Sequence, residues 1–194
     1  MNKDDEDRYE IASNPNTPVV LLNKLATDEV WLVRSGVARN FNTPAKTRTQ
    51  LAKDENMIIR SEVARHPCTP ARILVQLAKD ENYHVRSEVA KNQHTPVKTL
   101  VQLARDIDWG IREEVAMNPA TTVETLVQLA TDEHQYVRET VARLFRTPAE
   151  TLVKLSKDEK KKVREAVLSN PGTPSETVLQ LFKELLSDTN GESK

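Results

Sequence analysis

Apolar residues in this chain fall in short stripes at helical spacing, two stripes at a time. Leu74, Leu77 and Ala78 lie at i, i+3 and i+4, and Val85, Val89 and Ala90 follow on a second stripe. Each is one narrow face of a short helix. The pair recurs every 26 residues, marked by threonine at 17, 43, 69, 95, 121, 147 and 173, which proline follows in every case but Thr121. A strict period of this length marks a repeat array whose units bury apolar surface only against their neighbours. The pattern predicts an all-α solenoid of 26-residue two-helix repeats.

The polar positions punctuate the same unit. Threonine is expected to accept a helix-start N–H while proline takes the first helical position. Glu124, Glu150 and Glu176, three residues after their threonines, extend this to a capping box. Asp28, Asp54, Asp80, Asp106, Asp132 and Asp158 are expected to cap the second helix, which Asn92, Asn118-Pro119 and Asn170-Pro171-Gly172 then end. Arg8 to Pro15 reads as the second half of a repeat. The expected layout is one solenoid domain over 1–194: a half-repeat at 8–16, six full repeats at 17–172, a capping helix at 173–187 and a flexible tail at 188–194, a complete small array. The cap's apolar residues are Val178, Leu179, Leu181, Phe182, Leu185 and Leu186.

The combined pattern Asn-Pro-x-Thr-Pro, Leu-x-x-Leu-Ala-x-Asp and Val-Arg-x-x-Val-Ala resembles the leucine-rich repeat variant family, architectural relatives of HEAT and armadillo repeats. The resemblance runs from about Arg8 to the mid-180s. It implies a right-handed superhelix of paired short helices without strands, one of each pair sometimes wound as 3₁₀; the longer unit here leaves α and 3₁₀ both open for the first helix. Family members can carry an iron–sulfur cluster on a cysteine-rich N-terminal segment. This sequence has a lone Cys68, so the resemblance implies no cofactor.

Composition narrows the function classes. With 38% hydrophobic and 29% charged residues the chain is lean for one round core but suits a stack. One cysteine allows no intrachain disulfide and points to a reducing, cytoplasmic compartment. Neither a secretion signal nor a membrane-length apolar run is present. Net charge is −1, yet residues 43–105 hold 11 Lys and Arg against 6 Asp and Glu, between acidic flanks. His66, His84, His94 and His134 sit in different repeat phases, and no nucleophile setting or phosphate-cradling glycine loop occurs. No enzymatic chemistry and no metal are expected.

Candidate binding residues recur once per repeat. Trp31, Tyr83 and Trp109, with Met57 in the same series, form an aromatic ladder, followed one position on by Tyr136; packing between repeats is its expected role, a platform for peptide or bases the alternative. Gln50, Gln76, Gln102 and Gln128 and the basic row Arg39, Arg65, Lys91 and Arg143 lie outside the apolar stripes. The arginines at 34, 60, 86, 112, 138 and 164, with Arg8, are read as structural, paired with repeat aspartates and helix-end carbonyls. The favoured reading is a non-enzymatic scaffold for a protein or peptide partner. The alternative is a nucleic-acid-binding or DNA-repair protein using the basic block at 46–105, since Asp108-Trp109 loosely resembles the acid beside a tryptophan in HEAT-like glycosylases.

Overall fold

The structure, a computed structural model, describes residues 3–191, and side chains as far as 184. Its contacts divide the chain into two compact units, Met1–Leu103 and Ala104–Lys194, where the sequence reads as a single array. Unit 1 holds α1 (Lys3–Ser13), α2 (Val19–Leu25), α3 (Trp31–Arg39), α4 (Ala45–Leu51), α5 (Met57–Arg65), α6 (Ala71–Leu77), α7 (Tyr83–Lys91) and α8 (Val97–Leu103). Unit 2 holds α9 (Trp109–Met117), α10 (Val123–Leu129), α11 (Gln135–Arg143), α12 (Ala149–Leu155), α13 (Lys161–Leu168) and α14 (Ser175–Gly191).

The described residues form an α-helical repeat protein with no strands. The first helices from α2 to α12 are seven-residue α-helices, as α6 is, and the second helices from α3 to α11 have nine residues, as α5 does. The 3₁₀ option for the first helix is thereby closed, although its exit keeps i→i+3 bonds, as from the Asp80 amide to the Leu77 carbonyl. The acidic N-terminal stretch is itself helical, within α1, and α14 runs past the expected end of the cap to Gly191. Leu181 of α14 is buried while Leu179 and Phe182 are exposed. Leu185 and Leu186 lie outside the described side chains.

Packing is layered within each unit. In unit 1 the second helices α1, α3, α5 and α7 stack directly, with α2, α4 and α6 each bridging two of them and α8 packed on α7; in unit 2 α9, α11 and α13 stack, with α10 and α12 bridging and α14 packed on α13. Val33, Val37, Val63, Val89, Leu74 and Leu100 carry the core in unit 1, and Val115, Val141, Leu126 and Leu152 in unit 2, all fully buried. At the first joint α1 and α3 approach so closely that a Cβ on Gly36 would sit 2.9 Å from the Ser13 hydroxyl. The other repeats place Glu62, Glu88, Glu114, Thr140 and Ala166 there.

The capping expectations need correction. Thr43 Oγ1 does not accept from the helix it precedes; it donates to the Val37 carbonyl at 2.6 Å, six residues back. Thr69, Thr95, Thr121, Thr147 and Thr173 repeat this on Val63, Val89, Val115, Val141 and Val167. The threonines therefore close the preceding helix, and the N-cap residue of the next is an extended Pro without a side-chain cap, as at Pro44 and Pro148. Where Thr122 replaces proline a hydroxyl does cap this helix, accepting from the Thr125 amide. Sterics explain the choice: a threonine one residue ahead of the cap stands closer to the free carbonyls behind it than to the free amides ahead.

The repeat aspartates also sit two residues ahead of the cap position expected for them. Asp54 Oδ1 accepts from the Asn56 amide in an Asx turn, and Asn56 is the N-cap of α5. Both carboxylate oxygens also accept from the neighbouring repeat. Arg34 grips Asp54 with Nε at 2.7 Å and Nη2 at 3.0 Å and reaches back with Nη1 to the Asp28 carbonyl at 2.7 Å. Arg60 on Asp80, Arg112 on Asp132 and Arg138 on Asp158 repeat the clamp, and Arg8 pairs with Asp28. The structural reading of this arginine series holds in these repeats. Burial acts to raise the Asp80 and Asp158 carboxyls, but the hydrogen bonds from Arg60 and Arg138 outweigh it and hold both below the usual range.

Candidate functional site

The candidate residues separate onto different helices. Trp31, Met57 and Tyr83 are the first residues of α3, α5 and α7 in unit 1, and Trp109 is the first of α9 in unit 2. Trp31, Tyr83 and Trp109 are 42%, 49% and 39% exposed, so they are not wedges sealed between repeats. Met57 and Ile58 line a groove of about 260 Å³ with Ser61, Glu62, Arg65, His84 and Glu88, and the Tyr83 and His84 rings meet at 3.8 Å. A second groove, about 340 Å³, is bounded by Arg39, Phe41, Glu62, Arg65, His66 and Pro67.

The basic row over these grooves is not a free positive patch. Arg39 and Arg65 converge on the buried Glu62 at 2.7 and 2.5 Å. Burial favours the neutral acid there, but the two guanidinium groups outweigh it and hold the carboxyl below its usual range. Lys91 meets Glu88 at 3.4 Å, and in unit 2 Arg143 pairs with Glu139. In unit 1 the first groove is amphipathic, with Met57, Ile58 and the His84 ring lining it together with the paired Glu62, Arg65 and Glu88.

Unit 2 brings Trp109 and Tyr136 together through a residue the ladder reading left out. The His134 ring stacks on Trp109 at 4.2 Å and 11°, and Tyr136 lies 5.3 Å from both rings. Asp108 starts α9 by accepting the Gly110 amide, which fixes Trp109 at the helix start. Aromatic groups in this arrangement give a rigid platform at low entropic cost.

Gln50, Gln76, Gln102 and Gln128 lie elsewhere, exposed on the first helices. Gln50 borders a groove of about 460 Å³ with Val19, Asn23, Pro44, Lys46 and Thr47. The basic block at 46–105 also divides. Arg48 is buried, Arg60, Arg65 and Lys91 are paired, and Lys46, Lys53, Arg72, Lys79 and Lys98 have no carboxylate within ion-pair distance among the described residues. No group of three or more metal-ligating side chains converges among them, and no described helix is long and apolar enough to cross a membrane.

Sequence reasoning missed the latches that frame the grooves. Asn92 Nδ2 donates to the Ala64 and His66 carbonyls of the preceding repeat at 2.7 and 3.2 Å; Asn40 and Asn170 do likewise. Two repeats have no asparagine at this place, carrying His66 and Leu144 instead. In both an arginine supplies the donors. Arg48, 1% exposed, reaches the Asn40 and Phe41 carbonyls at 3.0 and 3.2 Å. Arg146 reaches those of Ala116, Asn118, Thr121 and Pro119 at 2.5, 2.7, 3.1 and 3.2 Å. Burial lowers both guanidinium pKa values. Burial and the nearby Arg48 charge pull the His66 imidazole down to about 4, while its Nδ1 accepts the Cys68 amide at 3.1 Å. The signal was present: Arg48 stands where other repeats have Leu22, Leu74, Leu100, Leu126 and Leu152.

Comparison with known proteins adds a family likeness but no activity. No protein-family model matches the chain, and no curated protein does. Among solved structures, a leucine-rich repeat variant described as having a novel repetitive structural motif is 28% identical, with a TM-score of 0.67 over 84% of this chain and 70% of that one. The Escherichia coli protein YibA is 18% identical, with a TM-score of 0.54 over 87% and 74%, a likeness of fold alone. In fold and in repeat pattern the chain resembles the leucine-rich repeat variant proteins, as its Thr-Pro, Leu-Ala-x-Asp and Val-Arg signature implies.

Proposed function

We propose that the chain is a non-enzymatic binding module that holds a protein or peptide against its second-helix faces, in a reducing cytoplasmic setting suited to its one free cysteine. The observation that carries the reading is the aromatic position at the start of the second helices. Tyr83 in unit 1, and Trp109 with Tyr136 in unit 2, stay two-fifths to one-half exposed, and the basic residues that end the Tyr83 and Tyr136 helices, Lys91 and Arg143, are neutralised by Glu88 and Glu139. Large flat rings at the edge of satisfied polar groups are the composition of protein interfaces, where they act as anchors. A phosphate backbone would instead call for unpaired cations on this face; Arg39, Arg65 and Arg143 are each engaged by a carboxylate.

The test is photo-crosslinking in cells from residue 83 and from residue 109, beside a control at Val20 on α2. Protein adducts that form from the first two, resist nuclease and are absent from the control support the module. A Trp109→Ala/Tyr136→Ala variant should weaken capture of the same protein by about tenfold or more, the loss expected for an aromatic anchor. Adducts with nucleic acid only, or equal yields from all three positions, would sink it.

A further inference from the structure

The outward sides of the first helices carry opposite charge in the two units. The second residue of the first helix is Lys46, Arg72 and Lys98 in α4, α6 and α8, and Glu124, Glu150 and Glu176 in α10, α12 and α14. All six are exposed, and none has an opposite charge within ion-pair distance among the described residues. No Asp or Glu occurs anywhere in α4, α6 or α8. Each row also has exposed apolar neighbours: Val75 and Val97 in unit 1, Val123 and Val127 in unit 2.

A row of one sign is ordinarily a solvated helix face. What distinguishes these rows is that one chain carries both a row and its complement. Both occupy the same position of the 26-residue repeat, on first helices that each pack against the stacked second helices of their unit, so the rungs of both rows recur at the one repeat spacing. Three lysine or arginine groups can thus meet three glutamates in register. The formal net charge of −1 leaves little overall repulsion between copies.

We infer that the two faces form an interface between copies of this chain. Lys46, Arg72 and Lys98 of one copy pair with Glu124, Glu150 and Glu176 of a second, and the valines between the rungs supply apolar contact. The interface uses the first helices, so it stands apart from the aromatic face and does not depend on the function proposed for it. Because the charges are solvent-exposed, association is modest and falls steeply with salt.

Sedimentation velocity of the full chain tests this, at about 20 mM and about 0.5 M salt, where the screening length shrinks several-fold. The expected result is a species heavier than the 22.0 kDa monomer at low salt that dissociates at high salt. Two charge-reversed variants sharpen it: Lys46→Glu/Arg72→Glu/Lys98→Glu makes both faces acidic, and Glu124→Lys/Glu150→Lys/Glu176→Lys makes both basic. Each alone should be monomeric, and an equimolar mixture should reassociate, with circular dichroism confirming that both fold. A wild-type chain that stays monomeric at about 100 µM and low salt overturns the inference, since that bounds the affinity below any useful range. So does association that survives in either variant alone, or a mixture that fails to reassociate, which would assign the faces to foreign partners.

Discussion

Arg146→Met removes the donors that latch α11 to the repeat before it while keeping the apolar stem. Four carbonyls receive Arg146, and the two shortest bonds go to Ala116 and Asn118 at 2.5 and 2.7 Å. Asn118 is 2% exposed and Ala116 is fully buried, so water reaches these oxygens poorly once the guanidinium is gone. Leaving a buried carbonyl without a donor costs about 1–3 kcal/mol. The Asn118 oxygen keeps the Thr121 amide at 3.0 Å, so the Ala116 carbonyl is the one orphaned, and less the desolvation relieved by removing a partly buried charge the expected loss is about 1–2 kcal/mol. Restoring the asparagine supplies the test of mechanism: Leu144→Asn in the same chain should return the donors that Asn92 and Asn170 provide elsewhere and recover at least half of the loss. Urea denaturation of the wild type, both single variants and the double variant closes the cycle. A cost below about 0.5 kcal/mol for Arg146→Met, or full additivity between the two changes, would refute the latch.

Other outcomes rest on the same geometry. Leu100→Ala should cost on the order of 2–5 kcal/mol in chemical denaturation, because the side chain is fully buried between repeats, while Gln102→Ala should leave the midpoint almost unchanged. His66 is held neutral, so between the unfolded value near 6.5 and about 4 the unfolded chain takes up a proton that the folded chain refuses. Stability should therefore be complete above pH 6.5 and fall by up to on the order of 3 kcal/mol toward pH 4, and His66→Gln should flatten that slope. Asp80 and Asp158, lowered by their arginines, act in a separate window: their stabilisation is present above their ordinary value near 4 and is lost only as pH falls further. Asp80→Asn should blunt the acid transition without altering the slope assigned to His66.

How much was legible depended on whether a position answered to its own neighbours or to the next repeat. The valines and leucines of the core could be placed from local spacing, because a short helix has one inward face and the period fixes it. The arginine series was also legible in kind, since a cation next to buried Val37 or Val63 must find a partner. Roles that run against the chain direction were not. A threonine before proline looks like a cap for the next helix, and only the folded turn shows that Thr43 stands nearer to the Val37 carbonyl. Asn92 looks like a mere helix stop, because the acceptors of its latch lie 28 and 26 residues away. Arg48 and Arg146 disappear into a charge count, although each coincides with a break in the asparagine series. For the candidate site the exposure of the glutamines could be read, but the neutralising partner of each basic residue came from a neighbouring turn or repeat.

The clamps and latches also bear on how the chain is made. Arg34 reaches Asp54 across 20 residues and Asn92 reaches Ala64 across 28; none of these ties waits for a distant part of the sequence. Closing such short spans carries little entropic cost, and folds dominated by near-neighbour contacts form quickly. During synthesis each new repeat therefore meets partners already in place on the repeat before it, an arginine donor for its aspartate and carbonyl acceptors for its asparagine, and the growing chain can be completed one 26-residue step at a time from the ribosome outward. A break in one tie, as at Arg146, should then stall the nascent chain at that step and leave the repeats already made intact.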